Sequence, residues 1–209
     1  MLVLILLAAA LVLSGVARAG DTNVATLRAV EDLSLPFWCD WGYDWDERCY
    51  WDDSDRLGVG GVSDKVWRGG IRFSLDGLPR RAVVVAAELA LRYDRTCVAP
   101  RGQTRSCDGS GFELDVHPIF TSPWRSEREV DFGPRVARAV LEPNAPARWL
   151  RWDVTDIVAA WHSGRSANHG VLVKRADGEE SFDSSGPSFP SSSHANTAVQ
   201  PRLRVWFRG

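Results

Sequence analysis

Apolar and polar residues alternate over several short stretches of the chain, and the period is two far more often than 3.6. Thr22 to Val30 alternates loosely and predicts a first strand. From Val66 to Leu75, the residues Trp67, Ile71, Phe73 and Leu75 fall on one face, with Gly69-Gly70 permitting a bulge or close packing. Asp76-Gly77-Leu78-Pro79 ends that segment as a turn. The clearest signal is Ala82 to Tyr93, where Val83, Val85, Ala87, Leu89, Leu91 and Tyr93 share a face and predict a long central strand. Phe112, Leu114 and Val116 repeat the pattern before Pro118 and Pro123 bring in an irregular stretch carrying Trp124.

Beyond that point the alternation thins until Trp149 to Val154, which reads as a strand. Asp153-Val154-Thr155 then offers an Asp or Thr cap for a short helix with Ile157, Val158 and Trp161 on one side, stopped by Gly164. Asn168-His169-Gly170 turns into a strand from Val171 to Lys174. Ser181 to Ser193 reads as a loop, and Leu203, Val205 and Phe207 mark a closing strand. No internal repeat or heptad is visible.

Many short strands joined by turns, with 18 Gly and 11 Pro, fit an all-β domain. Leu2 to Leu13 form an unbroken apolar run followed by Ala17-Arg18-Ala19, the pattern of a signal peptide cut between Ala19 and Gly20. The run is shorter than the roughly 20 apolar residues of a membrane span, although an uncleaved anchor is the rival reading. No Lys or Arg precedes the run, which on this reading would place the true start upstream. Residues 20–209 are then one domain without a membrane span. A formal net charge of −2 and the lack of an evident basic cluster argue against nucleic acid as a partner.

The four cysteines sort into Cys39 with Cys49 and Cys97 with Cys107, each pair enclosing nine residues. In an exported chain these read as two local disulfides, although three pairings are formally possible. A zinc site of all four is the rival, and neither spacing is the tight one that zinc ligands prefer.

Several motifs occur together in order. Ile71-Arg72-Phe73-Ser74-Leu75, the turn at Leu78-Pro79, and Ala87-Glu88-Leu89-Ala90-Leu91 open the series. Trp152-Asp153-Val154-Thr155, Trp161-His162-Ser163-Gly164, Asn168-His169-Gly170-Val171 and Phe182-Asp183-Ser184-Ser185 continue it, and Pro201-Arg202-Leu203-Arg204-Val205 closes it. In this order they resemble the DNRLRE-type secreted modules, over roughly Leu57 to Phe207. The name-giving string is absent, and Gln200 stands where that family has Arg. The resemblance implies a jelly-roll β-sandwich, here with one short helix and two disulfide-closed loops, exported and often found beside carbohydrate-active or adhesive domains. Some similar modules recognise uronate polysaccharides.

The stretch from Phe37 to Asp55 departs most from that pattern and reads as a long loop. It holds Trp38, Trp41, Tyr43, Trp45, Tyr50 and Trp51 among Asp40, Asp44, Asp46 and Glu47. Sugar rings stack their C–H faces on indole and carboxylates accept from hydroxyls, so this loop is the candidate ligand site. Burial of the same aromatics as a small core is the equal alternative. An acidic loop would repel a uronate polymer unless a cation bridged the two. Asp52-Asp53-Ser54-Asp55 groups the oxygens a structural calcium ion would need, with Asp52, Asp53 and Asp55 as ligands; a solvated turn is the alternative.

His117, His162, His169 and His194 form no constellation by spacing and read as solvated loop residues. Neither Gly-x-Ser-x-Gly nor His-Glu-x-x-His occurs, so the chain reads as non-catalytic. Two carboxylates about 5 Å apart, as in glycoside cleavage, would be the exception. Two functions follow: a secreted or envelope-associated module binding extracellular or cell-wall polysaccharide, or a structural or adhesive protein whose partner is an envelope protein.

Overall fold

A computed structural model of the chain describes residues 21–38, 55–62, 65–98, 104–121, 130–177, 179–180 and 185–209. Its elements in chain order are β1 (Asn23–Trp38), β2 (Arg56–Gly58), β3 (Gly60–Val62), β4 (Lys65–Phe73), β5 (Val83–Tyr93), β6 (Thr96–Val98) and β7 (Thr104–Ser106). They continue with β8 (Phe112–Pro118), β9 (Ala137–Leu141), β10 (Arg148–Asp153), α1 (Thr155–His162), β11 (Val171–Arg175), β12 (Ser188–Pro190) and β13 (Arg202–Arg208). The signal-peptide reading of residues 1–19 lies outside the described residues.

β1 runs well past Val30, where the alternation ends, because it serves two sheets in turn. Asn23 to Arg28 pair with β13 and Ala29 to Trp38 pair with β4, with a register shift at Val30 early in the second half. The front sheet is ordered β10-β5-β13-β1 and the back sheet β1-β4-β11-β8-β9, with β3 beside β4. All of these pairings are antiparallel. Take β1, β4, β5, β8, β9, β10, β11 and β13 as first to eighth. The front sheet is then first-eighth-third-sixth and the back sheet second-seventh-fourth-fifth, the two interlocked Greek keys of a jelly roll.

The core lies between the sheets. Leu89, Leu91, Leu150, Trp152, Leu203 and Val205 from the front meet Ile71, Phe73, Leu114, Val116, Val171 and Val173 from the back. Trp152 is 1% exposed, and its Nε1–H donates to the Leu114 carbonyl across the sandwich at 3.0 Å.

In β5 the inward phase holds from Ala87 to Tyr93, but Val83 and Val85 point to solvent. Opposite β5, Trp206 pairs with Ala86 and Phe207 with Val84, so Val85 is an extra residue and the face changes at this bulge. Two expected irregular regions contain strands. β9 lies inside the stretch where the alternation thins, and β12 lies inside the Ser181–Ser193 segment, where Phe189 is fully buried and the strand pairs with β2. Such a three-residue strand exists only through a partner remote in sequence, so no local period reveals it.

The helix caps differ in part from expectation. The N-cap position is Val154, while the Asp153 carboxylate accepts from the Thr155 N–H and hydroxyl at 2.9 and 2.6 Å. These bonds hold the Asp153 carboxyl below its ordinary pKa. At the other end Gly164 has φ of +73°, its N–H bonds to Trp161 O, and the Arg165 N–H bonds to Ala160 O, which is a Schellman stop. The Asn168 side chain closes the next turn, accepting from Gly170 N–H and donating to Phe73 O. The disulfide joins Cys97 and Cys107, Cα atoms 5.1 Å apart, across the β6–β7 hairpin. Cys39 and Cys49 lie outside the described residues.

Candidate binding face

The aromatic loop expected to bind ligand falls largely outside the described residues, as do Trp41, Tyr43, Trp45, Tyr50, Trp51, Asp52 and Asp53. Trp38 is the last residue of β1, in register with Val66. Asp55 is exposed, with Oδ2 3.8 Å from His194 Nε2. Among the described residues no group of three or more His, Cys, Asp or Glu is arranged to hold a metal ion.

The described residues that do form an open polar surface lie on the outer side of the front sheet. Inward positions there are Leu27, Leu89, Leu91, Leu150, Trp152, Leu203 and Val205, so the residues between them point outward. Register sets Arg28 beside Arg202, Arg202 beside Ala90, and Ala90 beside Arg151, one row across all four strands. The next row is Thr26, Arg204, Glu88 and Asp153; on the other side Arg92 stands beside Trp149. A further row of Val24, Trp206 and Ala86 ends the face. Five guanidiniums thus meet two carboxylates, in a chain whose formal net charge is −2. The expectation that no basic cluster exists is corrected: residues spread from Arg28 to Arg204 are gathered by strand pairing.

Two of these arginines lie over indoles. Arg202 lies 4.6 Å from the Trp149 ring centroid and Arg204 4.9 Å from that of Trp206. Ala90 points outward yet is 2% exposed, with Arg202 and Arg151 as its cross-strand neighbours. Arg151 pairs with Glu88, and Arg202 also donates to the Ala198 carbonyl. A guanidinium stacked on an indole keeps in-plane N–H groups free for a carboxylate or sulfate, and little side-chain entropy remains to be lost. With neighbouring strands about 4.8 Å apart, Arg28 and Arg202 stand one strand spacing apart, and Arg202 and Arg151 stand about 10 Å apart.

The outer side of the back sheet has a different character, because its charges are paired and Arg68, Asp115 and Lys174 are buried. Arg68 grips Glu180 through Nε and Nη2 at 3.1 and 2.7 Å, and Lys174, 2% exposed, reaches Asp177 at 2.7 Å and Glu180 at 3.3 Å. Lys174 holds the Asp177 carboxyl below its ordinary pKa. Arg138 clamps Asp115 through two bonds of 2.6 and 2.8 Å. Between them Leu35, Ile119 and Leu172 form a second small core, with Leu33, Val130 and Phe132 packed on it.

The expectation of solvated loop histidines is corrected for His117 and His162. His117 belongs to β8 and is 5% exposed, because β8 is covered on both faces. His162 ends α1, with Nε2 buried and without a hydrogen bond among the described residues. His169 and His194 are half-buried in turns.

No family model matches the chain. Bone morphogenetic protein 2 of Tetraodon nigroviridis is similar to it, 26% identical over 117 residues that cover 52% of this chain and 27% of that protein. The chain thus spans about a quarter of the length of the curated relative it matches. Among the described residues no helix is long and apolar enough to cross a membrane.

Proposed function

We propose that the chain is a secreted, non-catalytic jelly-roll module that binds an anionic extracellular or cell-wall polysaccharide on the outer face of its front sheet. The observation that carries this reading is the row Arg28–Arg202–Arg151 with Arg202 held on Trp149. A linear polymer of uronates or sulfated sugars presents an acid at a nearly regular interval, and arginines repeated across strands can meet several acids at once. The ordered likeness to DNRLRE-type modules supports the same ligand class, and the Cys97–Cys107 disulfide supports an oxidising compartment. The aromatic loop from Phe37 to Asp55, with or without calcium at Asp52, Asp53 and Asp55, is a second contact proposed from sequence.

The test is retention of the oxidised protein on polygalacturonate, a sulfated glucan, neutral dextran and duplex DNA, with calcium and with chelator. The R151A/R202A double variant is compared with R80A/R81A, whose side chains lie on an exposed turn. The reading expects salt-sensitive binding to one of the acidic polymers, weakened about tenfold or more by R151A/R202A and unchanged by R80A/R81A. Binding of DNA equal to that of every acidic polysaccharide would transfer the face to nucleic acid, and indifference to R151A/R202A would remove it from the site.

A second reading, a structural or adhesive protein that binds another protein, is favoured by the exposed Val24, Val83 and Val85 beside Trp206 at one end of the face. Failure on every polysaccharide would select it.

A further inference from the structure

His117 stands apart from the front face and goes beyond the binding reading. It sits on the outer side of the back sheet, opposite Leu172 in register, and residues 131–133 pair with 118–120 beside it. Phe132 bridges to Ile119, Phe120 N–H donates to Asp131 O at 2.7 Å, and Gly133 N–H donates to Pro118 O at 2.9 Å. The imidazole lies in the crease. Its Nδ1 is 2.9 Å from the Gly133 carbonyl, which can only accept, so Nδ1 carries the proton and Nε2 the lone pair. The Phe132 ring meets the imidazole edge-on at 5.3 Å, and Arg68 lies over that same Phe132. Nε2 is buried and has no hydrogen-bond partner among the described residues.

We infer that neutral His117 latches the segment 130–133 onto the back sheet, and that protonation of Nε2 releases it. Burial is the main cause that keeps the imidazole below its ordinary pKa, with the Lys174 ammonium adding to it, while the bond to Gly133 O and the charges of Asp115 and Asp177 oppose. Among the described residues the charged groups that act on the imidazole are Lys174 from β11, Asp115 on its own strand and Asp177 from the turn after β11; Glu180 joins Lys174 to Arg68 of β4, and Arg135 reaches Asp115. Among the described residues Asp115 is engaged by Arg138, and Asp177 and Glu180 by Lys174 and Arg68, and none of these acids is bonded to Nε2. A proton added to Nε2 therefore creates a buried cation with an unpaired donor beside another cation.

The folded form binds this proton less readily than the unfolded segment does. The latch is therefore fully closed above the ordinary imidazole value of about 6.5 and weakens as pH falls below it. Opening would bare Leu35, Ile119 and Leu172, which makes this an acid-dependent apolar surface.

The test is amide hydrogen exchange by NMR on the whole chain from about pH 7.5 to about pH 5, corrected for intrinsic rates, with the His117 ring protons followed in parallel. Phe120 and Gly133 amides are expected to lose about tenfold or more of their protection as His117 takes up its proton, while Leu89 and Leu91 in β5 keep theirs. The H117F variant is expected to hold its Phe120 and Gly133 protection constant across the range. Should H117F not fold, the wild-type exchange and ring titration decide alone. Constant protection in the wild-type chain, or the same loss in H117F, would overturn the latch.

Discussion

The guanidinium of Arg202 lies 4.6 Å from the Trp149 ring centroid, although β13 and β10, which carry them, are separated by β5. The arginine thus reaches across a whole strand, over Ala90, and the indole fixes where its N–H groups point. Trp149→Ala should leave the charge count unchanged yet weaken binding of the acidic polymer about three- to tenfold, since Arg202 would again sample its rotamers. Arg202→Lys should fall similarly, because an ammonium keeps the charge without the planar fork. Calorimetric titration beside thermal unfolding checks this, with a stability loss of only about 1 kcal/mol expected for either change. Wild-type affinity in Trp149→Ala would show that the indole does not orient the site.

The strands that bury one face were legible because their period is set by the core itself. Leu89, Leu91 and Tyr93, or Leu203, Val205 and Phe207, must alternate to stay inside. The Asp153-Val154-Thr155 corner and the Gly164 stop were legible for the same local reason. What stayed hidden depends on pairing. The bulge at Val85, the pairing of β1 with β13 and the short β2–β12 pair are decided by partners more than a hundred residues away, and β4, the other partner of β1, also lies outside any local window. The arginine row was invisible for the same reason: Arg28, Arg151 and Arg202 share no window of sequence. Only an antiparallel register sums their charges.

Trp152 ties the two sheets together through packing and one hydrogen bond, to Leu114 O at 3.0 Å. Trp152→Ala should cost about 3–5 kcal/mol, the range for deleting a buried large aromatic. Trp152→Phe keeps most of the volume and removes the donor, so about 1–2 kcal/mol is expected. Urea unfolding measures both, and equal losses would mean that the hydrogen bond, rather than the packing, holds the sandwich at this point.

The disulfide between Cys97 and Cys107 closes a short loop, and both residues are buried against the main core. The C97A/C107A variant should lose about 2–3 kcal/mol from the greater freedom of its unfolded chain. At this chain length that corresponds to a melting temperature lower by about 5–10 °C. The loss should appear in calorimetry without a change in polysaccharide affinity, because the hairpin lies away from the front-sheet rows. A parallel loss of affinity would link the hairpin to the site.

Two glycines separate conformational cost from packing cost. Gly164 has φ of +73° and open space around a notional Cβ, so Gly164→Ala bears only the left-handed backbone penalty, about 1 kcal/mol. At Gly186 a Cβ would fall 1.8 Å from the Val59 carbonyl oxygen and 2.8 Å from its carbon. That backbone cannot step aside, because Val59 N–H donates to Pro187 O while Gly186 O accepts from Val98 N–H. Gly186→Ala must therefore pry β12 from its neighbours, and about 3 kcal/mol or more should be lost in urea unfolding. Gly164→Asn should recover part of its smaller loss, since Asn tolerates the left-handed region, whereas no side chain can rescue position 186. If Gly186→Ala proved as mild as Gly164→Ala, the close approach of the chain at Gly186 to Val59 would not exist in solution.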